Sequence, residues 1–249
     1  MKRTLKTFAK SIYFDILGVV LVVGIAIYSG YLGTNLAKYV DWGPITPYIP
    51  FGLISVINVG LSMLSTRLTG RIDNWGNIYG IVNVALSGTI DYILGNKTAY
   101  ITYPITFIIY LLAIKYWSDT TEGKAETKSL SYKIYAGTLI TTGAFGFSYF
   151  INGSTYGWNM SPLAHVTTIV FALSLVANGF NAMKLTVQYP FWFVYNFVQL
   201  AKAFIQGNFA NVGKYIFYII NSIGSGFIWG DSEKEESKKI NKKEGYYHE

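Results

Sequence analysis

Trp192, Asn196 and Gln199 stand four and then three residues apart within "YPFWFVYNFVQLAKAF", a segment otherwise apolar enough to cross a membrane. On an α-helix that spacing puts all three on one face. An indole offers a flat surface for stacking, and an amide offers both a donor and an acceptor. Together they could hold a flat, neutral or weakly charged heterocycle by its face and its edge. An unpartnered amide in an apolar medium costs roughly 2–7 kcal/mol, so these groups must face a cavity, another helix or each other. The competing reading is helix-to-helix hydrogen bonding, worth about 0.6 kcal/mol on average.

The same residue types recur elsewhere. Tyr79 and Asn83 are also four apart, and one residue of slippage overlays them on Trp192 and Asn196. Tyr215, Tyr218 and Asn221 follow at helical spacing, and Asn83, Asn196 and Asn221 all fall near the centres of their segments. The expected substrate site is therefore Trp192, Asn196, Gln199, Tyr215, Tyr218, Asn221, Tyr79 and Asn83.

Signals for catalysis are weak. Cysteine is absent, and the two histidines, His165 and His248, stand alone. No nucleophile elbow, His-Glu-x-x-His pair, phosphate loop or metal-ligand spacing occurs. Neither enzymatic activity nor a metal or cofactor is expected. Asp15 and Asp91 lie near the ends of apolar segments, where interfacial water would solvate them, and Lys202 is expected to snorkel outward. Ion-driven carriers place ionisable groups along the pathway. Their expected absence points to passive, facilitated movement.

These residues must be positioned by membrane helices. Of 249 residues, 51% are hydrophobic and only 13% charged, where a soluble domain carries about 25%. Apolar runs predict eight transmembrane helices: Ile12–Leu32, Phe51–Leu68, Trp75–Leu94, Tyr100–Trp117, Tyr132–Ile151, Pro162–Met183, Tyr189–Gln206 and Val212–Trp229. The first is too long for a signal peptide and lacks a cleavage site. Eight spans put both termini on one side. That side would hold 16 of the 20 basic residues, among them Arg67, Arg71, Lys115, Lys124 and the tail lysines. The positive-inside rule makes it cytoplasmic. The net charge of +7 then reflects topology, and no nucleic-acid partner is expected.

The chain also matches itself at an offset of 112. Leu61-Ser62 meets Leu173-Ser174, Gly95-Asn96 meets Gly207-Asn208, Tyr103 meets Tyr215, Trp117 meets Trp229 and Asp119 meets Asp231. Two three-helix blocks separated by one helix keep the same orientation, as parallel repeats do. The expected class is thus an all-α polytopic membrane protein. The expected organisation is an N-terminal segment with the first helix (1–50), a first three-helix repeat (51–119), a cytoplasmic loop and linker helix (120–161), a second repeat (162–231) and a charged, disordered tail (232–249). The first helix belongs to neither repeat and is expected at the periphery.

Two stretches carry a family resemblance: "FWFVYNFVQLAKAFIQGNFANVGKYIFYIINSIGSGFIW" from Phe191, and its first-repeat counterpart "GNIYGIVNVALSGTIDYILGNKTAYITYPITFIIYLLAIKYW" from Gly76. They resemble the PnuC vitamin transporters over about Gly52–Asp231. The resemblance implies a SWEET-like 3-1-3 bundle, a homotrimer in the bacterial inner membrane, and facilitated diffusion of nicotinamide riboside. A cytoplasmic kinase would make uptake one-way by phosphorylating the arriving vitamin, without needing to touch the transporter. Relatives carry thiamine, riboflavin or deoxynucleosides. A sugar facilitator of the same fold, or a membrane scaffold whose amides only join helices, are the alternatives.

Overall fold

The computed structural model describes residues 7–246. Among them are eight α-helices of 17 residues or more: α1 (Ile12–Tyr28), α2 (Phe51–Gly70), α3 (Trp75–Ile93), α4 (Ala99–Ser118), α5 (Leu130–Tyr156), α6 (Pro162–Ala182), α7 (Gln188–Gln206) and α8 (Phe209–Tyr246). Local chemistry sets several ends. The hydroxyls of Ser11, Ser129 and Ser161 accept backbone N–H groups at the starts of α1, α5 and α6, which satisfies donors that a helix leaves free. Gly30, at φ 70°, stops α1 short of the expected Leu32. Three short turns with Pro47 and Pro50 then fill residues 31–50.

The 112-residue offset is a geometric repeat. Ile72 and Lys184, 112 apart, both adopt positive φ, at 63° and 57°, a strained choice for side chains this large. Each closes the turn after a helix in the same way. Asp73 N–H reaches Leu68 O and Leu185 N–H reaches Phe180 O, both at 3.0 Å. At the other end of the next helix, Gly95 and Gly207 also have positive φ. Asn96 N–H there meets Asp91 O, and Asn208 N–H meets Ala203 O, again both at 3.0 Å. The register therefore holds at both ends of α3 and α7, with no slip between them.

Packing follows the same regularity. α2, α3 and α4 pack in sequence, as do α6, α7 and α8, while α4 lies on α6 and α8 lies on α2. Six helices thus close a ring. α5 packs outside it against α6, and α1 packs outside it against α8 and α2. At that peripheral position α1 is tightly held. Its Phe14, Val22 and Ala26 are buried, and a Cβ on Gly213 of α8 would stand 2.7 Å from Val22 Cα. Asp15 is not left to interfacial water either. It accepts from Arg67 Nε at 2.5 Å and from Arg71 at 2.9 Å.

The outer surface is apolar. Ile108, Leu111 and Leu112 of α4, and Val194, Phe197 and Phe204 of α7, are exposed, while polar side chains turn inward. That arrangement suits lipid and would be costly in water. Four helices, α2, α4, α5 and α6, are long and apolar enough to cross a membrane by length and composition. α3, α7 and α8 fall short because their inward faces are polar, and α1 has only 17 residues.

The charged tail expected to be disordered is helical through Tyr246; residues 247–249 lie outside the described region. Glu and Lys are good helix formers, and Glu235 precedes Lys239 by the favourable spacing. The tail also has a dock. Ala125 N–H donates to Ser232 Oγ at 3.0 Å, Lys124 pairs with Glu236 at 3.2 Å, and Lys133 pairs with Glu233. Lys184, from the turn between α6 and α7, donates to Thr121 O of the Ala125 loop at 2.8 Å and sits over the Trp117 ring. Burial pulls the Lys184 ammonium below its ordinary range, and Glu126 and Glu122 partly restore it.

Candidate functional site

Helix α2 carries Ser55, Asn58, Ser62, Ser65 and Thr69 at steps of three and four, a polar stripe along one face of an otherwise apolar helix. Helix α6 repeats it 112 residues later with Thr167, Ser174 and Asn181. The stripes turn into the ring, where a cavity of about 160 Å³ receives side chains from α2, α3, α4, α6, α7 and α8, but none from α1 or α5. An apolar cavity of similar volume is known to take a benzene ring. Here the aliphatic and phenyl lining, Val84, Ile90, Leu94, Val170, Phe171 and Ala203, is joined by Trp192, several tyrosines and many amides and hydroxyls, so the space suits a solute with both apolar and polar faces.

The lining keeps the repeat. Ser62 and Ser174, Asn83 and Tyr195, Ser87 and Gln199, and Tyr103 and Tyr215 are pairs 112 apart, and both members of each line the cavity.

Seven of the eight expected residues lie there: Trp192, Asn196, Gln199, Tyr215, Tyr218, Asn221 and Asn83. Edge-to-face contacts link Trp192 to Tyr195, Tyr195 to Tyr215 and Tyr215 to Tyr218, at 5.2, 6.3 and 6.0 Å between ring centres. Asn196 Nδ2 donates to Ser222 Oγ at 2.9 Å and Tyr218 O at 3.2 Å, which ties α7 to α8. Its Oδ1 is buried without a protein partner, as are the Oδ1 atoms of Asn58 and Asn178 on the same cavity. With Asn181 Oδ1, also unpartnered and on the lining, four orphan acceptors face one polar space and are suited to ligand donors. Gln199 donates to Tyr195 Oη at 2.6 Å, and Tyr218 Oη donates to Ser62 Oγ at 2.9 Å. Asn221 accepts from Arg67 Nη1 at 2.8 Å, so it also anchors that guanidinium.

Tyr79 does not line the cavity. Its ring packs 6.2 Å from Trp75 on another side of α3. The reason is the absence of slip. At an offset of 112, Tyr79 corresponds to Phe191, and Trp192 corresponds to Gly80. The first repeat fills that space from a different helix. Tyr110 of α4 lines the cavity and lies against Gly80, where a Cβ would stand 2.5 Å from its ring.

Asp91 and Lys202 also differ from expectation. Neither is at an interface; they are 7% and 2% exposed, line the cavity, and pair at 2.6 Å. The Asp91 carboxylate further accepts from Asn96 at 2.6 Å, Gln206 at 2.8 Å and Tyr103 at 3.2 Å. Sequence reasoning placed them near span ends, which is correct, and assumed that span ends are wet, which is not. Here residues 31–50 cover that end, with Leu36 and Phe51 packed on Ile90 and Leu94.

Residues 52–231 match a family model described as "Nicotinamide mononucleotide transporter". The chain belongs to that family. The fold agrees: a crystal structure titled "Crystal structure of the Vitamin B3 transporter PnuC" superposes with a TM-score of 0.68 at 12% identity, over 90% of this chain and 93% of that one. No curated protein sequence matches. Membership places the cavity in a membrane transporter, and the family match covers all six helices that line it.

Proposed function

We propose that this member of the family is a facilitative transporter of nicotinamide riboside in the bacterial inner membrane. The observation that carries the reading is the polar cavity within the ring, lined by Trp192 and Tyr195 and by Asn196, whose Oδ1 is an unpartnered acceptor. The superposed transporter is named for vitamin B3, which fits a pyridine ring stacked on Trp192. Asn196 and Gln199 would then hold the carboxamide or ribose hydroxyls.

All eight helices would span the membrane as two parallel three-helix units, 51–119 and 162–231, joined by α5 in a SWEET-like 3-1-3 order. Both termini would be cytoplasmic, as the basic residues favour. A homotrimer is the proposed assembly. Rocking of one three-helix unit against the other would expose the cavity to each side in turn. The Asp91 carboxylate, already engaged by four side chains, is poorly placed to bind a coupling ion, which supports uniport. Intracellular phosphorylation of the substrate by a kinase would make net uptake one-way.

Thermal stability against a ligand panel tests the reading, because a ligand that binds only the folded state raises the melting temperature. Nicotinamide riboside should shift it. A shift with thiamine, riboflavin or a deoxynucleoside alone would replace the substrate within the family. The many Ser and Thr hydroxyls of the lining favour one further reading, a sugar facilitator, which a shift with glucose or sucrose alone would establish. No shift with any compound would leave the amides as joints between helices.

A further inference from the structure

Lys124 and Glu236 are 112 apart, so they occupy equivalent positions of the repeat, and they pair with each other at 3.2 Å. A contact between equivalent positions falls near the axis that relates the halves, over the mouth of the ring rather than on its flank. The segments around them differ in form. Residues 119–129 are a loop, and residues 231–241 are helix, the extension of α8. The loop thus breaks the symmetry of the halves at this end.

The loop leaves the first half at the end of α4 and is fastened to the second. Glu126 N–H donates to Lys184 O at 3.0 Å, and Lys184 Nζ donates back to Thr120 Oγ1 at 3.1 Å. On the α8 extension, Ser232 takes the Ala125 N–H, Glu236 takes Lys124, and Glu233 takes Lys133 from the start of α5. Ala125 is 2% exposed, in one packed cluster with Ile72, Trp117, Tyr189 and Trp229. Tyr189 also lines the cavity, so Ala125 caps the cavity at this mouth. The fastenings are weaker than those at the other end. There Asp91 and Lys202, with side chains 9% and 3% exposed, join α3 to α7, and separating such a pair strands charge out of water. Here Lys124 and Glu236 are 37% and 27% exposed, so water and salt can replace each partner.

We propose that residues 119–129 are a releasable strap, clasped by the α8 extension, that shuts this mouth of the cavity and lets go when the substrate leaves. The basic residues put the mouth on the cytoplasmic side. Rocking of the halves carries α4 away from the Lys184 turn and from α8. The strap is rooted on one side of that division and fastened on the other, so it either unfastens or holds the halves together. Its contacts are polar and partly exposed, which suits a gate that opens in each cycle. The role in release rests on the cavity being the transport site; closure of the mouth does not.

The chain has no cysteine, so a single one reports access to the cavity. Thr66→Cys places it on α2 in the lining, and a membrane-impermeant maleimide applied to inside-out vesicles reaches it only through the cytoplasmic mouth. Adding Lys124→Glu, which sets a carboxylate against Glu236, should raise the labelling rate roughly fivefold, as loss of a partly exposed pair allows. Adding Glu236→Lys to that variant should return the parent rate. Labelling in right-side-out vesicles should not change. An unchanged rate in Lys124→Glu, failure of the charge swap to restore it, or equal acceleration from both sides would overturn the strap. If Lys124→Glu does not insert, salt gives the same answer: about 1 M salt should accelerate labelling of the parent, and a rate independent of salt would overturn the clasp. Release is tested separately. Joining Lys124→Cys to Glu236→Cys with a cleavable bifunctional thiol reagent should stop uptake of labelled nicotinamide riboside, and cleaving the linker should restore it. Undiminished uptake by the cross-linked protein would overturn release by the strap. Absence of uptake before cross-linking would sink the transport reading instead, and the labelling rates would still decide closure.

Discussion

Trp117 and Trp229, 112 positions apart, touch at 5.5 Å between ring centres, and their hydrogen bonds mirror one another. Trp117 Nε1 donates to Asn181 O at 2.8 Å, and Trp229 Nε1 donates to Thr69 O at 3.1 Å. The acceptors are themselves 112 apart. Two equivalent residues can meet in this reciprocal way only near the axis that relates the halves, so the indoles mark where that axis leaves the ring.

That reciprocity makes a quantitative prediction. Trp117→Phe and Trp229→Phe each remove one N–H while keeping an aromatic ring, and each leaves its carbonyl with only backbone donors, such as Lys184 N–H on Asn181 O and Ile72 N–H on Thr69 O, both at 2.9 Å. Each should cost about 0.5–1.5 kcal/mol, and the two losses should be similar. Because the rings touch, the double variant should deviate from additivity. Thermal unfolding in detergent of the four proteins measures this.

Asn196→Ala should weaken ligand binding by roughly 1–3 kcal/mol, a factor of about 5–150. Membrane insertion should persist, because the helix-joining part of its role is worth only about 0.6 kcal/mol. The two effects separate when affinity and melting temperature are measured on the same preparation. A large loss of stability with affinity retained would make Asn196 a joint rather than a ligand contact.

Gly80→Ala should perturb the cavity through one lining residue, Tyr110. The added methyl would press on the Tyr110 ring, which must move into the space where a ligand sits. Weaker binding is expected, with a smaller effect in Gly80→Ala/Tyr110→Phe, which has a little more room. Gly60→Ala is a matched control, since a Cβ there meets nothing within 4 Å. Isothermal titration on the set decides it.

Asp91→Asn should destabilise the protein by about 3–5 kcal/mol, because it strands the Lys202 ammonium in a buried site. Adding Lys202→Met should recover much of that loss, since removing both charges is far less costly than removing one. Failure of the second substitution to rescue the first would mean that the carboxylate acts mainly through Asn96 and Gln206.

Much of this was legible in the sequence because membranes enforce simple rules. Trp117 and Trp229, the Gly95 and Gly207 turns, and the 112-residue offset all appear as identities in the chain, and the structure uses them as equivalent positions. Trp192, Asn196 and Gln199 were visible because amides are rare in apolar runs. Tyr79 was misplaced because it was paired by residue type with a slip, although the Gly-Asn matches already fixed the register. Asp91 and Lys202 were hidden because span ends are usually wet, and nothing local to either residue shows that residues 31–50 cover them. The α2 stripe from Ser55 to Thr69 was readable throughout. It was missed by attending to single mid-depth amides rather than to the polarity of a whole helix face. The structured tail was unforeseeable from its charge, since its dock on the loop around Ala125 is tertiary.

Flux of labelled nicotinamide riboside into proteoliposomes, with the parent protein and Asn196→Ala side by side, tests the central claim most directly. Uptake by the parent should saturate, stop when the inside and outside concentrations are equal, and ignore imposed proton or sodium gradients. Asn196→Ala should lose most of it while reconstituting normally. Undiminished uptake by Asn196→Ala would remove the cavity amide from the pathway, and accumulation that depends on an ion gradient would contradict facilitated diffusion.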